Sequence, residues 1–101
     1  MLAKLTSIGI ISQSCPKCEQ LKNNLRRDFD RAGFPLIFIE IVYEEDPEEA
    51  MKVASRFDLK SIPSFYIDGF VFEEYYGESQ ISAAVKAIRE GKEIKDEEYH
   101  V

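Results

Sequence analysis

Two cysteines, Cys15 and Cys18, bracket Pro16 and Lys17, and the chain has no others. At this spacing a pair can close a disulfide, supply half of a metal site, or pack as two small inert side chains. Tetrahedral zinc takes about four ligands. The only histidine, His100, stands near the end of the chain, so a single-chain zinc site is short of donors. Proline and lysine between the cysteines, at a helix start, argue against an inert buried pair. Thiol–disulfide exchange is the chemistry the spacing favours: one thiolate attacks a disulfide sulfur, and a second thiol resolves the mixed disulfide.

That chemistry depends on the elements that hold the pair. Residues 5 to 12 (Leu-Thr-Ser-Ile-Gly-Ile-Ile-Ser) are too few for a stable helix and rich in β-branched side chains, which predicts a first, buried strand. From Cys15 onward, Cys18, Leu21, Leu25, Phe29 and Ala32 recur at threes and fours, one stripe of a helix. Ser14 or Cys15 caps this helix, Pro16 falls in its first turn, and Gly33 ends it with positive φ. A free thiol titrates near ~8.5, and a helix start or a Cys-x-x-Cys setting commonly lowers this to about 3.5 to 7.5. Cys15 is therefore read as the exposed nucleophile, with Lys17 adding positive potential and Cys18 resolving from the inner side of the first turn.

Leu36 to Tyr43 is apolar and β-prone on both faces, the pattern of an internal or double-covered strand. With the first strand and helix it makes a βαβ unit, for which a parallel pair and a right-handed crossover are expected. Asp46, Pro47 and Glu49 mark the start of a second helix, with Ala50, Val53, Ala54 and Phe57 as its buried stripe. Asp68-Gly69 separates two short β-prone runs and predicts a tight hairpin. Ser79 is placed to cap a last helix carrying Ile81, Ala84, Val85 and Ile88, with Gly91 after it. Phe29, Phe34, Phe38, Phe57, Phe65, Phe70 and Phe72 are assigned to packing, and Glu44 and Glu45 to a solvated loop.

A chain of 101 residues has room for one core, read here as a domain over 1–91 followed by a charged tail, 92–101. Apolar content of 45% with 32% charged residues suits a globular protein, and no run is long enough to span a bilayer. A net charge of −6 disfavours nucleic-acid or anionic-membrane partners. No apolar stretch ending in a small-residue cleavage site follows Met1, so a cytoplasmic location is expected.

Two motifs resemble the thioredoxin-like superfamily, and within it glutaredoxins more than thioredoxins. Ser14-Cys15-Pro16-Lys17-Cys18 is similar to the Cys-Pro-Tyr-Cys of dithiol glutaredoxins. Ser61-Ile62-Pro63-Ser64, followed by Phe-Tyr-Ile-Asp-Gly, is similar to the family's Thr-Val-Pro segment ahead of its hairpin. The resemblance implies an α/β thioredoxin-like fold of order β-α-β-α-β-β-α, a four-stranded mixed sheet with helices on both faces. It implies that Pro63 is cis against the active-site sulfurs, with the Ile62 backbone turned toward an extended substrate segment. Tyr76-Gly77-Glu78-Ser79 resembles the glycine and acidic residue that contact the amino end of glutathione. Ser12 stands where glutaredoxins carry a lysine for a glutathione carboxylate.

The expected activity is therefore dithiol exchange with protein disulfides through Cys15 and Cys18, with Pro16, Lys17, Ile62, Pro63, Gly77 and Glu78 at the substrate. Gln13 and Ser14 flank the nucleophile. No bound cofactor or metal is expected. A reductase or glutathione would recharge a monomeric protein. The alternatives are an electron donor dedicated to one enzyme, a thioredoxin-like adaptor without turnover, and an iron–sulfur site shared between two subunits.

Overall fold

β1 (Leu5–Ile11) and β2 (Leu36–Val42) run parallel, pairing Leu5 with Leu36 and Ile11 with Val42, and α1 (Pro16–Arg31) connects them. The computed structural model describes residues 4–90. Gly91, the tail 92–101 with His100, and the expected boundary at 91 lie outside the described residues. After α2 (Pro47–Phe57) the chain returns as β3 (Ser64–Ile67), antiparallel to β1. β4 (Phe70–Phe72) follows antiparallel to β3, and α3 (Glu78–Glu90) closes the described chain. The strand order is β2-β1-β3-β4. Asp68 and Gly69 both adopt positive φ, 47° and 97°, the two left-handed positions of the tight hairpin turn that Asp-Gly signals.

Strand alternation divides the interior into two layers. Leu21, Leu25 and Phe29 of α1 meet Phe65, Ile67 and Phe72 of the hairpin and Ile81, Ala84 and Val85 of α3 on one face. Ile10, Ala50 and Leu59, with Ile41, Val53, Ala54, Phe57 and Tyr66 packed against them, form the second layer under α2. Helices thus cover both faces, as the resemblance implies. Phe29 meets Phe72 edge-on at 5.9 Å between ring centroids, and Phe38 meets Phe65 at 5.8 Å, the arrangement in which a ring's positive rim faces a negative face. Gly9 lies opposite Phe65 in the ladder, and a Cβ there would stand 2.5 Å from the Phe65 ring. Only a residue without a side chain lets that ring lie across β1.

Three expectations need correction. β2 is an edge strand, not an internal or doubly covered one: Ile37 and Ile39 are 49% and 51% exposed because α2 is short and covers only the Ile41 end. Ser79 lies inside α3. The helix starts at Glu78, where Gln80 reaches back to accept from the Tyr76 N–H at 3.0 Å, so a glutamine side chain serves the end that Ser79 was expected to cap. Asp28 falls on the buried stripe of α1, where only apolar positions were read. Tyr75 Oη donates to it at 2.7 Å and Arg27 Nε at 2.9 Å. Burial pushes the Asp28 carboxyl up, but the bonds from Arg27 and Tyr75 outweigh that and hold it below the usual range. The same bond raises the Tyr75 phenol, which keeps its proton to donate.

Candidate functional site

β1 delivers the chain to the site, and α1 fixes it there. Ser12 to Ser14 make the turn after β1, with Ser14 in the left-handed region at φ 51°. Cys15 is then the N-cap of α1, extended at φ −117° and ψ 94°, and Pro16 takes the first helical position without sacrificing a needed donor. Of the two candidate caps, the structure selects Cys15. Its Sγ accepts from the Cys18 N–H at 3.1 Å. Cys15 and Cys18 are disulfide-bonded, with Cα atoms 5.2 Å apart. Cys15 is partly exposed and Cys18 only 2% exposed, so the first cysteine is reachable from solvent and the second lies in the interior. Pro16 and Lys17 are both exposed beside the reachable sulfur.

The proline loop leads into β3. The Ile62–Pro63 bond is cis. Ser64 pairs with Ile10, so Pro63 comes one residue further along, toward the end of β1 from which the Cys15 turn departs. Pro63 is buried, whereas Ile62 is 42% exposed, and its backbone has no hydrogen-bond partner among the described residues. The Ser64 hydroxyl, fully buried, donates to the Ser61 carbonyl and closes the loop on itself. Beside it, Ile10, Tyr43, Ala50, Met51, Leu59 and Ile62 line an apolar groove of about 160 Å³.

Glu44 belongs to the site although its segment was read as a solvated loop. One carboxylate oxygen accepts from the Ser12 hydroxyl and the other from the Gln13 N–H at 3.0 Å. The Ser12 hydroxyl, and after it the Gln13 amide, hold this carboxyl below its ordinary value. Gln13 Nε2 also reaches Glu45 at 3.5 Å. An exposed glutamate in an acidic run gives no sequence signal for this role; only the fold shows that the end of β2 lies beside the turn after β1. The structure does not bring Glu78 to the cysteines. Its carboxylate pairs with Arg31 at 3.6 Å, at the end of α1 opposite Cys15, and Gly77 precedes it at φ 115° with open space around it. Among the described residues no cluster of three or more histidine, cysteine, aspartate or glutamate side chains is arranged to hold a metal.

Comparison with known proteins agrees with this geometry. A family model described as a thioredoxin domain matches residues 6–74, from β1 through the cysteine pair and the proline loop past the hairpin. A search of curated proteins gives no match. Among solved structures, the chain is similar to thioredoxin-2, a component of malaria parasite protein secretion machinery, at 12% identity and a TM-score of 0.52, covering 85% of this chain and 84% of that one. A second similar structure, of a malarial protein, has 12% identity, a TM-score of 0.48, and coverage of 81% and 92%. With a cysteine pair at disulfide distance on the first turn of α1 and the matched segment spanning both motifs, the chain belongs to the thioredoxin domain family and carries that fold's redox-type site.

Proposed function

We propose that the protein is a dithiol–disulfide oxidoreductase that acts on protein disulfides, with Cys15 as nucleophile and Cys18 as resolving thiol. The observation that carries this reading is the division of labour at the start of α1: a partly exposed cysteine whose sulfur accepts a backbone N–H, and a buried cysteine one turn behind it. In the reduced protein that N–H and the helix dipole favour the Cys15 thiolate. The thiolate attacks one sulfur of a substrate disulfide and displaces the other as a thiolate, which takes a proton from water. Cys18 then loses its proton and attacks Cys15, forming the intramolecular disulfide and releasing the second substrate thiol. Two electrons and two protons pass to the substrate.

A polypeptide substrate is favoured over glutathione by what surrounds the sulfur. The unpaired Ile62 backbone offers a donor and an acceptor to an extended strand, and the neighbouring apolar groove suits a side chain on that strand. Glu44 stands on Ser12, where a glutathione carboxylate would need a cation. The test is reduction of insulin disulfides, driven in parallel by thioredoxin reductase and by glutathione with its reductase. Wild type is expected to turn over and Cys15→Ser to lose activity entirely; activity retained in Cys15→Ser would refute the assignment.

A further inference from the structure

β2 poses a contradiction within the chain. Six of its seven residues are apolar, the pattern of a strand covered on both sides, yet it forms the edge of the sheet with Ile37 and Ile39 half exposed. Edge strands that remain open are usually interrupted by charge, proline or a bulge. The single charge here, Glu40, is already met by Lys22 at 2.9 Å.

The open edge is a ladder unbroken from Leu36 to Glu40. Tyr43 N donates to Ile11 O and Leu5 N to Pro35 O, so odd-numbered residues of this segment turn their backbone polar groups toward β1. In a parallel ladder the N–H and C=O of one residue point the same way and alternate along the strand. Leu36, Phe38 and Glu40 therefore present theirs outward, where no described residue pairs with them, whereas the Val42 carbonyl accepts from the Glu45 and Asp46 N–H groups at 3.0 Å each.

We infer that two copies of this chain associate antiparallel through β2, with Ile39 opposite the partner's Ile39, making one continuous eight-stranded sheet. Three observations select a second copy in this register. First, it sets Phe38 opposite the partner's Glu40 as fully hydrogen-bonded pairs and brings each Leu36 carbonyl to the partner's Val42 N–H, the Val42 carbonyl being held by its own turn. Second, it carries the partner's Glu40 to Phe38, over whose ring Lys22 and Arg26 already stand at 5.3 and 5.2 Å, so opposite charges meet on that face. Shifting the centre to Glu40 would oppose two carboxylates. Third, α2 covers the Ile41 end of its own strand and leaves the Ile37 end bare. The two-fold lays the partner's Ile41 and its α2 beside Ile37, so each subunit supplies the cover that the other lacks. Cys15 stays outside the interface, and the inference does not depend on the proposed activity.

The test is sedimentation velocity of the full chain up to about 100 μM, an ordinary range for a small interface. A dimer mass is expected, with Ile39→Lys sedimenting as monomer; the lysine sits at a half-exposed position and keeps its head in water. A second measurement is independent of folding defects. In a Cys15→Ser, Cys18→Ser background, Ile39→Cys lies across the two-fold at a Cα separation of about 4.5 Å and should oxidise to a covalent dimer. Ile37→Cys lies roughly 13 Å from its own copy and should cross-link about tenfold more slowly. A monomer at every concentration overturns the inference, and would leave another protein's strand or residues 91–101 as the cover. A dimer in which Ile39→Cys links no faster than Ile37→Cys overturns it as well.

Discussion

A thiol is a useful nucleophile at neutral pH only where its anion is stabilised, and in the proposed exchange the groups that would stabilise Cys15 are the Cys18 N–H and the start of α1, which belong to the backbone. What a mutation can disturb is the turn that aims the sulfur. Glu44 clamps that turn through Ser12 and Gln13. Because its carboxyl is held below the ordinary value, the clamp is intact above the usual carboxylate range and is lost as pH falls through the lowered value. Glu44→Ala is expected to lower the exchange protection of the Gln13 amide, its rate relative to the intrinsic rate at the same pH, several-fold at pH 7, a loss that wild type reproduces only on strong acidification; unchanged protection would show that the contact does not order the turn. Gly9→Ala tests packing. Its methyl group would press into the fully buried Phe65 ring, and overpacking of this kind typically costs about 1–3 kcal/mol in chemical denaturation. At this scale the cysteine pair was legible because its chemistry is written in residue type and spacing. Glu44 was not, since its partners lie more than thirty positions away, and neither was Phe65 lying over Gly9.

Helices were legible where caps and periodicity agreed. Asp46 accepts from the Glu49 N–H at 3.2 Å, Pro47 opens α2, and Gly33 follows α1 at φ 93°, all as their residue types require. One failure is local and two are long-range. Gln80 served the start of α3 in place of Ser79, Asp28 was drawn into the interior by Tyr75 from beyond β4, and the internal pattern of β2 met an edge. Asp28 and Tyr75 tie the fourth turn of α1 to the segment before α3, and the sign of the pH effect follows from the depressed carboxyl. Its contribution is fully present above the ordinary aspartate pKa and is lost as pH falls through the folded value. Asp28→Asn should therefore destabilise the protein by about 1–3 kcal/mol at pH 7, the cost of leaving buried partners poorly matched. The gap from wild type should narrow toward pH 3, and a gap independent of pH would mean that the carboxylate charge is not what the network uses.

Taken whole, the molecule is one mixed sheet between two unequal layers; the element order was legible in caps and hydrophobic stripes, and the mixed sheet with helices on both faces in the family resemblance. That β2 lies outermost was not readable, because its apolar run is the same as that of an interior strand and only the path of the chain puts β3 on the other side of β1. The architecture brings three segments distant in sequence, the turn after β1, the end of β2 and the cis-proline loop, to one end of β1, and the proposed exchange depends on their meeting there. The most direct measurement is trapping of the mixed disulfide. Reduced Cys18→Ser, mixed with a disulfide-containing protein and examined by intact mass and peptide mapping, is expected to accumulate a stable adduct on Cys15, while Cys15→Ser accumulates none. An adduct on Cys18 in Cys15→Ser at a comparable rate, or none in either variant, would contradict the account.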